Sequence, residues 1–132
     1  VYKLDHVAYA VPALASYIPW FEEIFRVRAS KIEVLREHNV NIVFLEAGLF
    51  KIELIEPLPG NQSLNLFLKE KGPGFHHVAF SVRKLHEVYL SLRQAGCRFT
   101  SDTLLKGSCN RNVIFIHPHV AQGLLIELCE ES

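Results

Sequence analysis

Two histidines and two glutamates stand at matching places in this sequence. His6 lies in Leu4-Asp5-His6-Val7-Ala8-Tyr9-Ala10-Val11, and His77 in His76-His77-Val78-Ala79-Phe80-Ser81-Val82. Aligned on the histidines, the two phrases read His-Val-Ala-Tyr-Ala-Val and His-Val-Ala-Phe-Ser-Val, 71 residues apart (77 − 6). Each is followed by one carboxylate in an apolar run: Glu53 in Lys51-Ile52-Glu53-Leu54-Ile55, and Glu127 in Leu125-Ile126-Glu127-Leu128. The His-to-Glu spacings agree closely, 47 residues (53 − 6) and 50 residues (127 − 77). A carboxylate between Ile and Leu is costly to bury unless it is paired or bound to metal. The four residues can be two polar pairs with a purely structural role. They can also be the ligands of one divalent ion of the Zn, Co, Ni or Mn class, which imidazole and carboxylate donors suit.

The elements that must position these residues repeat as well. Tyr2 to Val11 alternates as a strand, with His6, Ala8 and Ala10 on one face and the bulkier Val7, Tyr9 and Val11 on the other. A helix over Tyr17–Arg26 is expected next, with Ser16 as its N-cap so that Pro19 falls in the first turn. Strands follow at about Arg28–Leu35, Val40–Glu46 and Phe50–Ile55, and Pro57-Leu58-Pro59-Gly60-Asn61 is a linker. Ser63 caps a short helix that ends at Gly72. The second half gives a strand over Phe75–Val82 and a helix over Leu85–Ala95 with Gly96 just beyond its end. Its later strands fall at about Arg98–Leu104, Asn112–His117 and Leu124–Cys129. Each half is thus β-α-β-β-β. The chain is expected to be one α+β domain over 1–132, with module one at about 1–57, a linker at 58–72 and module two at about 73–132.

Composition narrows the function classes. The 132 residues are 49% hydrophobic and 21% charged, with a formal net charge of zero. That is a globular composition with no apolar run long enough for a membrane span, and its zero net charge argues against a nucleic-acid binder, which normally shows a basic face. Cys97, Cys109 and Cys129 form no C-x-x-C pair and read as free thiols of a reducing compartment. The expected location is cytoplasmic, or the mitochondrial matrix in a eukaryote.

Taken in order, the motifs resemble the vicinal oxygen chelate (glyoxalase) superfamily, and within it the methylmalonyl-CoA epimerase branch. The resemblance runs over nearly the whole chain. It rests on Leu4-Asp5-His6-Val7-Ala8, Val43-Phe44-Leu45-Glu46-Ala47-Gly48, Lys51-Ile52-Glu53-Leu54-Ile55-Glu56-Pro57-Leu58 and Phe67-Leu68. It continues through Lys71-Gly72, Gly74-Phe75-His76-His77-Val78-Ala79-Phe80, Val113, Phe115, His117-Pro118, Gly123 and Leu125-Ile126-Glu127-Leu128. It implies two β-α-β-β-β modules whose sheets curl around one divalent metal held by His6, Glu53, His77 and Glu127. His76 is one residue out of phase and points to the opposite face of its strand. The implied reaction is proton transfer at the carbon α to a thioester, in methylmalonyl-CoA or a similar acyl-CoA. A metal polarises the thioester oxygen while one group removes the proton and another returns it on the other face. The implied acid/base residues are Glu127 and Glu37, the latter because Glu37-His38-Asn39-Val40 matches a Glu-Gln-Gly-Val loop of the family. Arg111 fits a basic position suited to a carboxylate or phosphate of the substrate.

The sequence departs from the family where His119 follows His117-Pro118 in place of Lys, and over Gly107–Asn112, where the family loop is richer in glycine. Gln62-Ser63-Leu64-Asn65 is one residue short of the family pattern. Sister readings within the fold are a glyoxalase I-like lactoylglutathione lyase acting on a thiol adduct, and a metal-free resistance-type binding protein. A ring-cleaving dioxygenase fits less well, because Glu53 adds a second carboxylate to its usual set. A homodimer is compatible with the fold, as is a monomer whose two modules close one site.

Overall fold

The computed structural model describes residues 2–120 and 123–131. The outermost positions of the expected domain, 1 and 132, lie outside the described residues. The chain divides into two compact units, one over His6–His76 and one formed by His77–Ser132 with Val1–Asp5. Both boundaries fall immediately before a repeated histidine, His6 within strand β1 (Lys3–Ala10) and His77 within strand β5 (Gly74–Val82).

In the first unit β1 is followed by helix α1 (Leu14–Phe25), strands β2 (Glu33–Leu35), β3 (Val40–Glu46) and β4 (Lys51–Pro57), and helix α2 (Gln62–Lys71). The strands lie in the order β2-β3-β4-β1, with β4 parallel to β1 and the other pairs antiparallel. In the second unit β5 is followed by α3 (Leu85–Gln94), a two-residue strand β6 (Leu105–Lys106), β7 (Asn112–Ile116) and β8 (Ile126–Glu130). Their order is β5-β8-β7-β6, again with one parallel pair, β5 and β8. Each unit is β-α-β-β-β, as the repeat predicts. Among the described residues no helix is long and apolar enough to cross a membrane.

The two faces of β1 bury different partners, as period-two alternation requires. Val7, Tyr9 and Val11 pack with Leu14, Tyr17, Ile18 and Phe21 of the α1 region. On the other face Ala10 packs with Val40, Ile42 and Ile55 beneath Leu64, Phe67 and Leu68 of α2. That helix packs over Ala10, at the end of the face away from His6. In the second unit α3 packs Leu85, Val88, Tyr89 and Leu92 against Val82, Ile114 and Leu128.

Three expectations about the elements need correction. Helix α1 starts at Leu14, not Tyr17, so Pro19 sits in its interior. The missing cap comes from a distant strand: Leu14 N–H donates to Glu56 Oε1 at 2.8 Å. The helical donor that Pro19 lacks would have served Ala15, whose exposed position lets water serve instead. The α2 cap is Asn61 rather than Ser63, with Leu64 N–H donating to Asn61 Oδ1 at 3.0 Å. Finally, the strand after each first helix is much shorter than its β-rich sequence suggests. Only single bridges form there, Ala29 with Leu45 and Phe99 with Ile116, before the short strands β2 and β6.

The carboxylate cap on α1 has a counterpart. Glu130 Oε1 accepts from Leu85 N–H at 3.3 Å, and its Oε2 accepts from Asn112 Nδ2 at 2.9 Å. Glu56 Oε2 likewise accepts from Asn41 Nδ2 at 3.0 Å. In both units, then, a glutamate three residues after the buried one ties a helix start to the neighbouring strand.

Candidate metal centre

Register sets the geometry of each half-site. Along parallel β1 and β4, Ala8 is opposite Glu53, and along β5 and β8, Ala79 is opposite Glu127. The histidines precede those alanines by two residues and share their face. The alanine methyl leaves room for the glutamate to reach back toward the histidine. His6 Nε2 lies 3.6 Å from Glu53 Oε1, and His77 Nε2 lies 3.6 Å from Glu127 Oε2. All four side chains are buried: His6 is 3%, Glu53 5%, His77 7% and Glu127 8% exposed.

The antiparallel neighbours complete the match. Phe44 is opposite Glu53 and Phe115 opposite Glu127. The His6 ring meets Phe44 edge-on at 5.5 Å between centroids, and His77 meets Phe115 at 5.1 Å. Each half-site is therefore one imidazole, one carboxylate and one aromatic wall. Phe44 and Phe115 are among the residues that carry the family resemblance, but the sequence alone assigns neither a place at the site. Their distances to the glutamates, 9 residues (53 − 44) and 12 residues (127 − 115), differ because the hairpin loops differ, so the repeat does not expose them.

The donor set suits a divalent ion. A 3.6 Å separation of nitrogen and oxygen exceeds a good N–H···O hydrogen bond. Two ligands each about 2.0–2.2 Å from one ion stand roughly 3–3.6 Å apart. Buried carboxylates among apolar neighbours are the groups a cation stabilises most.

The other site candidates occupy different settings. Glu37 is exposed in the turn between β2 and β3, where Asn39 has a φ of 57°. That turn is pinned from below by buried Asn61, whose Nδ2 donates to Asn39 O at 2.8 Å and His38 O at 3.4 Å. One side chain thus caps α2 and holds the Glu37 turn, a role invisible in the linker composition that surrounds it. Arg111 meets a carboxylate, that of Asp5, through two contacts of 3.2 and 3.1 Å, and also donates to Glu130 O at 3.3 Å. Burial lowers its pKa, but the Asp5 hydrogen bond and the nearby acidic groups outweigh that and raise it. His76 packs edge-on against Phe67 at 5.2 Å between centroids. Burial, and then the Lys71 ammonium, bring its pKa down from 6.5 to about 4. His119 is exposed, with its N–H donating to His117 Nδ1 at 3.2 Å. Of the three thiols, Cys129 is buried, Cys97 half-buried and Cys109 exposed.

The fold and the paired half-sites define a class. The chain belongs to the glyoxalase/bleomycin resistance protein/dioxygenase superfamily, whose family model matches residues 5–115. Within that class it is similar to proteins named as epimerases. It is 35% identical over 127 residues to the mitochondrial methylmalonyl-CoA epimerase of Mus musculus, a match covering 96% of this chain and 71% of that one. It is 31% identical to the ethylmalonyl-CoA/methylmalonyl-CoA epimerase of Cereibacter sphaeroides, covering 96% of both chains. The crystal structure of methylmalonyl-CoA epimerase from Mycobacterium tuberculosis is similar with a TM-score of 0.93 at 31% identity. That match covers 98% of this chain and 88% of that one.

Proposed function

We propose that this chain is a metal-dependent isomerase that epimerises the carbon α to a thioester, with methylmalonyl-CoA or a closely similar acyl-CoA as substrate. The observation that carries the reading is the duplicated half-site, a buried His–Glu pair beside a phenylalanine in each unit. The identity to named epimerases over nearly the whole chain supports the substrate class.

In this reading His6, Glu53, His77 and Glu127 hold one divalent ion of the Co, Zn, Ni or Mn class, and the two units are halves of one domain. The ion, when bound, acts as a Lewis acid toward the thioester oxygen, where negative charge develops as the α-proton leaves. The protein's own residues do the rest. Glu127 and Glu37 act as the two acid/base groups: one takes the α-proton from one face and the other returns a proton to the opposite face. Ala8 in one unit and Ala79 in the other, the small residues opposite the two glutamates, keep the ligand face low beside each His–Glu pair, where the acyl group would lie. The Phe44 and Phe115 rings wall the carboxylates and keep bulk water from the reacting carbon.

The test is exchange of the substrate α-proton with deuterated water. The metal-loaded protein is expected to exchange the α-proton of methylmalonyl-CoA, and the chelated protein to lose that exchange. No exchange with methylmalonyl-CoA, together with turnover of a glutathione hemithioacetal, would move the assignment to a lactoylglutathione lyase.

A further inference from the structure

We infer that Lys51 is the residue that recognises the free carboxylate of a malonyl-type thioester, and so sets specificity for a dicarboxylic acyl-CoA. The inference rests on the acyl-CoA reading above and deepens it. Lys51 is two residues before Glu53 in β4, so the two side chains share a face. The β1–β4 register places Lys51 opposite His6. Its ammonium lies over the Phe44 ring, 5.0 Å from the centroid, and the same ring meets His6. A cation therefore lies on the ligand face, cross-strand from His6 and over the aromatic wall that His6 also meets.

Two further observations separate Lys51 from an ordinary surface lysine. It is half-buried, and among the described residues no ion pair joins it to a carboxylate; its cross-strand neighbour Glu46 is exposed. A partly desolvated ammonium without an anionic partner is ready to take one from a ligand. The second observation is the break in the repeat. Glu53 corresponds to Glu127, so Lys51 corresponds to Leu125, which carries no charge. The half-sites match in histidine, glutamate and phenylalanine and differ in this cation. A malonyl thioester is asymmetric in the same sense, with a neutral thioester on one side of the α-carbon and a carboxylate on the other. Arg111, the other basic candidate, already spends its guanidinium on Asp5 and Glu130 O.

The experiment compares malonyl-CoA with propionyl-CoA, which lacks the carboxylate, as ligands of the metal-loaded protein by titration calorimetry. Wild type is expected to bind malonyl-CoA more tightly. Lys51→Met should weaken malonyl-CoA by about tenfold or more, the loss of one charge-assisted contact, and change propionyl-CoA less than about twofold. Lys51→Arg should restore most of the preference. In turnover the Lys51→Met defect should fall on KM for methylmalonyl-CoA more than on kcat. If Lys51→Met keeps the wild-type preference, or weakens both ligands alike, the inference is wrong while the epimerase reading stands. If wild type binds both thioesters equally and exchanges no α-proton, that reading fails and takes this inference with it.

Discussion

At the scale of single residues, the site is a chemistry of exceptions. Nearly every neighbour of Glu53 and Glu127 along β4 and β8 is apolar and buried, and these two are not exposed to compensate. Such carboxylates exist in a stable protein because something offsets their desolvation. Glu37 is the opposite case, an exposed turn residue whose proposed role depends on where its turn is held. The two kinds of glutamate should therefore separate in experiment. Glu37→Gln is expected to cut α-proton exchange by about 10²–10⁴-fold, the usual worth of a general acid/base, with metal affinity unchanged. Glu53→Ala is expected to lower metal affinity itself, read by titration with the ion alone. A Glu37→Gln protein of full activity would remove that residue from the mechanism.

At the scale of elements, the informative groups are those that join one element to another. Glu56 and Glu130 cap helices that begin 42 and 45 residues earlier in the chain, and each also takes an amide from an asparagine. Each thus fixes a helix start to the strand that carries a buried glutamate three residues upstream. Glu56→Ala should cost about 1–3 kcal/mol in urea unfolding, from a lost cap and an Asn41 amide left without its acceptor. Glu56→Gln keeps one acceptor oxygen and should recover part of that loss. Equal stability of the alanine and wild-type proteins would show that the cap is dispensable. Helix propensity alone misplaces this element. It starts α1 at Tyr17 because Pro19 is poor inside a helix, yet a carboxylate from β4 outweighs that local preference and starts the helix at Leu14. Asn61 repeats the lesson in a loop, since its second function appears only when Asn39 folds back beside it.

For the whole molecule, metal and stability should be linked. A ligand that binds only the folded state stabilises it by about 2.7 kcal/mol at a hundredfold excess over Kd. In a domain of this size that corresponds to a Tm increase of roughly ten degrees. Addition of the ion to chelated protein should raise Tm in wild type and in Glu37→Gln, and far less in His77→Ala or Glu127→Ala. A Tm that does not respond to any ion of the Co, Zn, Ni or Mn class would speak against the proposed centre.

The sequence by itself determined what is local and periodic. The repeat is legible because His6 and His77 head near-identical phrases. The placement of His6 with Ala8 follows from alternation, and the pairing of Gly96 with the end of α3 follows from its freedom at a φ of 95°. The tertiary structure decided what depends on register between segments far apart in the chain. Phe44 meets His6 because β3 pairs with β4 and β4 with β1, and no spacing in the sequence states both pairings. Arg28–Leu35 and Arg98–Leu104 have strand-like composition, yet extended pairing there is limited to one bridge in each and the three-residue strand β2 in the first. Side-chain alternation is written into each strand. Which strand lies beside it, and one residue up or down, is set only when the faces pack.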